Sequence, residues 1–179
     1  MDNFDSVNIK FVIAHTLKTL GAYSTAAAKL LELTASLQAE HFSAKPQSGL
    51  GLYRIEPCTH LQIWDGYLAF KPDLASTVRG LASQKAFLQN PHLELATNQG
   101  YASAIAWMIY QRRELTLPDA EDQQGLTACW TKYFTDSAKP VQPNPRPCPQ
   151  PQKPLTGSHS PAHSDDHTKR FPAKQLTAT

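Results

Sequence analysis

Apolar residues return every three or four positions through most of the first 134 residues, and that spacing predicts helices. Ile9, Ile13, Leu17 and Leu20 fall at steps of four, four and three, so residues 5–20 read as a helix that Gly21 stops. Ser24 suits the N-cap of a second helix. Its stripe of Ala26, Leu30, Leu33, Leu37 and Glu40 repeats at steps of 4, 3, 4 and 3. The spacing puts Glu40 on the face of the core leucines, at the helix end. Residues 42–50, with Pro46, Ser48 and Gly49, read as loop. Leu50 to Ile55, with Gly51 inside it, reads as one arm of a small β-hairpin.

Pro57 takes the favoured first-turn position of a helix that runs through Leu61, Trp64 and Leu68 to near Phe70. Pro72 opens a short helix to near Ala82. Residues 92–113 carry the longest helical pattern, with Leu95, Tyr101, Ile105, Met108 and Ile109 inward. Pro118 and Asp119 start a last helix that ends near Phe134, with Leu126, Trp130 and Tyr133 inward. Trp64, Trp107 and Trp130 stand at helical spacing and read as core. The pattern gives a mainly α domain with one small β segment and no internal repeat.

Composition changes this picture at Ala138. Nine of the fourteen prolines lie in the 42 residues from there onward, with almost no large apolar side chains. Such a segment buries too little surface to offset its ordering entropy, which predicts a folded domain at 1–137 and a Pro-rich, disordered or extended tail at 138–179. Charge divides at the same place. The tail has six Lys and Arg against two Asp, and the body eleven against thirteen, so the tail is at +4 and the body at −2. The tail therefore reads as a solubilising linker or as a weak contact for nucleic acid. Only Phe171 interleaves an aromatic ring with its charges, which argues against a nucleic-acid groove.

Cys58, Cys129 and Cys148 show no metal-ligand spacing, and their odd number argues against a disulfide framework. The opening MDNFDSVNIK lacks a basic n-region and an apolar core, which predicts no secretory signal. No apolar run approaches the roughly 18 residues of a membrane span. His159, His163 and His167 are spaced by four, but Pro161 lies among them and no further ligands complete a metal site. Phosphate-loop, Ser-His-Asp and zinc motifs are absent.

The candidate chemistry centres on Glu40. A carboxylate on the rim of an apolar face loses solvation, and the negative end of the helix dipole adds to the effect. Both raise its pKa, as a general acid requires. Glu56 is open to two readings: a second carboxylate across a cleft, or an acid favourably placed before a proline-started helix. His60 is equally open, as a helix-surface residue or a sugar contact.

A helix ending in Glu40, the run Gly51-Leu52-Tyr53-Arg54-Ile55-Glu56-Pro57-Cys58-Thr59-His60, and then Asn98-Gln99-Gly100-Tyr101-Ala102 together resemble the soluble lytic transglycosylases of the lysozyme superfamily. The likeness covers residues 22–134, and its GLY and EPxTH form is similar to phage-encoded members carried in virions. The resemblance implies a lysozyme-like helical domain acting on peptidoglycan, with no cofactor and no metal. Glu40 would be the catalytic acid. Gly51, Tyr53, Arg54, Glu56, Asn98 and Tyr101 would line the substrate cleft. It also implies a virion protein that acts at the cell wall during genome ejection, with other virion proteins as partners, through the tail among other contacts. The chain departs from the family in His41, where serine is usual, in Arg54, where glutamine is usual, and in a shorter loop before Gly51. A cation at Arg54 close to Glu40 would favour the ionised carboxylate. A non-catalytic structural virion protein that keeps the lysozyme-like fold is the alternative.

Overall fold

A computed structural model describes residues 3–44 and 49–135; the tail, with its histidines, Cys148 and basic residues, and the side chain of His41 lie outside the described residues. The chain is mainly helical: α1 (Asn3–Thr19), α2 (Thr25–Ala44), α3 (Pro57–Gly66), α4 (Pro72–Gly80), α5 (Gln84–Gln89), α6 (Leu93–Thr97), α7 (Gln99–Gln111) and α8 (Gln123–Cys129). A 3-10 turn at Leu68–Phe70 follows α3, and a π turn at Trp130–Phe134 follows α8.

Helix α7 is the axis of the fold. Every residue from Tyr101 to Tyr110 is buried, as expected of a helix apolar on all sides. Helices α1, α2, α3, α4 and α6 all pack on it. Helix α1 contributes Ile13 and Leu17, and Gly21 ends it in the left-handed region at φ 65°. There the Ala22 N–H reaches back to the Leu17 carbonyl and the Gly21 N–H to that of Lys18, which satisfies the last turn. Ser24 caps α2, its Oγ accepting the Ala27 N–H at 3.0 Å.

Two tyrosines fasten α7 to its neighbours. Thr34 Oγ1 donates to the Leu30 carbonyl, so the Tyr110 hydroxyl donates to Thr34 at 2.6 Å. Ser103 Oγ donates to the Gln99 carbonyl, so the Tyr53 hydroxyl donates to Ser103 at 3.0 Å. Both phenols are wholly buried and bonded, as burial of a polar group requires.

The β element is smaller than a hairpin. Leu50 and Ile55 exchange one pair of backbone hydrogen bonds, 2.9 and 3.1 Å, in a single antiparallel bridge around the turn 51–54. Gly51 adopts φ 68°, and a Cβ there would overlap the Leu95 carbonyl of α6. Arg54 also sits in the left-handed region, at φ 49°. The pattern over 92–113 resolves into two helices, because Asn98 is extended (φ −123°, ψ 97°) and caps α7. The last helix starts at Gln123 rather than near Pro118, since Asp122 is its N-cap. Among the described residues no helix is long and apolar enough to cross a membrane.

Candidate functional site

The buried face of α2 consists of Ala27, Leu30, Leu31, Thr34 and Ala35. A helix turns about 100° per residue, so this face continues through Gln38. Leu33, Leu37 and Gln38 are half-buried along the edges of that face, and Glu40 is exposed. The expectation that Glu40 shares the face of the core leucines is therefore corrected: the true stripe is rotated away from it. Glu40 also lies some 12 Å along the axis beyond Glu32, the α2 carboxylate whose charge acts on Tyr53.

The other sequence candidates gather at one junction. The turn 51–54 rests on α6 through Gly51 and on α7 through Tyr53. Tyr53 is wholly buried, so it is a packing and hydrogen-bonding group where the sequence suggested a cleft wall. Burial drives its phenol pKa upward. Arg54 is half-buried in the same turn. Glu56 is the N-cap residue of α3, with Pro57 in the first turn, but its side chain forms no capping hydrogen bond. Asn98 Oδ1 accepts the Tyr101 N–H at 3.0 Å, and its amide donates to the Leu81 carbonyl and to Glu94 Oε2, both at 2.9 Å. Its hydrogen-bonding groups are thus committed within the protein. Tyr101 is fully buried.

Around Tyr101 lies a polar hub that the motif reading did not contain. His60 is 1% exposed, which removes it from the helix surface. Its Nε2 lies 2.6 Å from the Tyr101 hydroxyl, and its Nδ1 lies 2.9 Å from His92 Nδ1. Trp64 Nε1 donates to the Tyr101 oxygen at 2.9 Å and approaches His60 Nε2 at 3.2 Å. One arrangement of protons satisfies every contact. Trp64 donates to Tyr101, Tyr101 donates to His60 Nε2, and His60 Nδ1–H donates to an unprotonated His92 Nδ1. Burial, followed by the neighbouring His92, pushes the His60 pKa down to about 3. Burial also lowers that of His92 and raises that of the Tyr101 phenol. Phe87 of α5 packs edge-on against both Trp64 and Tyr101, and the Arg79 guanidinium lies 4.1 Å above its ring centroid.

Glu94 continues this network. It is 2% exposed, and its Oε2 accepts from the Ser83 N–H at 3.0 Å and from Asn98. It lines an open pocket of about 550 Å³ together with Val12, Ser83, Ala86, Thr97, Asn98, Gln99 and Gly100. Sequence signals for both groups exist in retrospect. His60 and Trp64 stand four apart on one helix face, and so do Glu94 and Asn98 in sequence. Among the described residues no group of three or more His, Cys, Asp or Glu is placed to hold a metal.

No protein-family model, curated protein or solved structure matches the chain.

Proposed function

We propose that the chain is a virion-associated peptidoglycan lytic transglycosylase of phage type, with a lysozyme-like domain and Glu40 as its single acid and base. The observation that carries this reading is the meeting of two motifs far apart in sequence. The glycine turn is seated directly on the α6–α7 junction that holds Asn98 and Tyr101. The exposure of Glu40 at the end of α2 leaves it accessible to a polymeric glycan. In this reading Glu40 protonates the leaving oxygen of the β-1,4 link between N-acetylmuramic acid and N-acetylglucosamine. It then takes the proton of the muramyl C6 hydroxyl, whose oxygen attacks C1 and closes a 1,6-anhydro ring. A single carboxylate suffices, unlike the paired carboxylates of glycoside hydrolases.

A second reading, a non-catalytic structural virion protein, is favoured by the same exposure. Glu40 stands exposed, away from the buried face of α2, and the tyrosines of the two motifs are buried packing groups. Digestion of purified peptidoglycan by the protein and by Glu40→Gln, with mass spectrometry of the products, separates the two. Anhydro-muropeptides from the native chain alone support the enzyme. Anhydro products from both proteins would move the acid elsewhere. No products from either, across several peptidoglycan chemotypes, would leave the structural reading.

A further inference from the structure

Glu94 is the one carboxylate among the described residues that is both buried and part of a pocket wall. Its two hydrogen bonds among those residues fall on the same oxygen, Oε2, with Ser83 N–H and Asn98 Nδ2 as donors. Oε1 takes part in no hydrogen bond among the described residues, and Glu94 belongs to the pocket's lining. The carboxylate is held from behind, since the Asn98 amide is itself fixed by the Leu81 carbonyl and by its cap on Tyr101. Such clamping fixes the carboxylate before any ligand arrives.

We propose that this pocket binds a small organic cation carrying a primary ammonium group, with Glu94 Oε1 as its charge partner. The pocket is open to solvent, and its volume, about 550 Å³, leaves room for a ligand of side-chain size. A carboxylate largely withdrawn from water gains most from a partner that brings both charge and N–H donors. An anion would be repelled by it. A divalent metal would find a single carboxylate where it needs several oxygen ligands. Val12 and Ala86 contribute apolar groups to the lining for the alkyl stem, and Ser83, Thr97 and Gln99 are polar residues of the same lining. The amine of a diamino acid side chain has this combination of charged head and alkyl stem. The proposal stands apart from the role given to Glu40.

The test is titration of the full chain with Nα-acetyl-lysine methylamide, followed by amide proton–nitrogen correlation spectra. The neutral norleucine analogue serves as isosteric control. Saturable shifts confined to Ser83, Ala86 and residues 97–100 are expected with the lysine compound and not with the control. Glu94→Gln should weaken binding by about tenfold or more, the loss of one charge-assisted contact. Ala86→Leu, which narrows the pocket at its apolar side and keeps the carboxylate, should weaken binding and decides the matter if Glu94→Gln fails to fold. No shifts at tens of millimolar, equal shifts with the neutral analogue, or undiminished binding by the folded variants would overturn the proposal.

Discussion

Removing the Tyr101 hydroxyl leaves His60 Nε2 and Trp64 Nε1 without their closest partner at once. The loss is partly self-repairing, because Trp64 Nε1 already lies 3.2 Å from His60 Nε2 and can donate there instead. Tyr101→Phe should therefore cost about 1–2 kcal/mol, the lower part of the range for a stranded buried polar pair. Gly51→Ala has no such repair. Its φ of 68° disfavours any L side chain, and the added Cβ meets the backbone carbonyl of Leu95 rather than a side chain that could move. Left-handed strain and displaced backbone together predict a loss of about 2–4 kcal/mol. Urea unfolding of the two variants should rank Gly51→Ala as the more damaging, and the reverse order would mean that the turn shifts freely on α6.

At the scale of elements, Asn98 is the joint between α6 and α7. Its side chain caps one helix, ties down Leu81 and orients Glu94. Asn98→Ala should cost about 2–3 kcal/mol by denaturant titration, and Asn98→Ser should recover only the cap's share of about 1 kcal/mol. Equal stability of the two variants would reduce Asn98 to a cap. This joint also shows what the sequence could carry. Gly21, Ser24 and Pro57 act within one turn of chain, so their effects on helix ends were legible. The break at Asn98 was hidden because apolar spacing continues across it. Helix α5 was hidden because six residues with Phe87 as their main inward group show no period. The phase of α2 went astray for a related reason: Ala27, Thr34 and Ala35 occupy the buried face, and small or hydroxylated residues leave a weaker imprint than leucine. The hub and the Glu94 pocket needed tertiary information, since His60 meets Tyr101 and His92 across 41 and 32 residues.

Across the whole molecule, the buried His60 and the half-buried His92 make stability depend on pH. His60 titrates near 6.5 when unfolded and near 3 when folded, because burial disfavours its charged form. Between those values the unfolded chain binds the extra proton, so stability falls as pH falls. The contribution is fully present above the unfolded pKa. By pH 5 about 2 kcal/mol is lost, at 1.36 kcal/mol for each of about 1.5 units. His92 adds a loss of the same sign, since its pKa is also lowered by burial. Carboxylates ionise mainly below this window, which leaves pH 7 to 5 to the histidines. Urea unfolding at pH 7, 6 and 5 should show the decline in the native chain. In His60→Gln, which keeps a polar group at the hub but cannot take up the proton, the slope should shrink to the share of the remaining histidines. A flat profile in the native chain would mean that the hub accepts a proton without opening. An undiminished slope in the variant would place the titrating group outside the Tyr101 network.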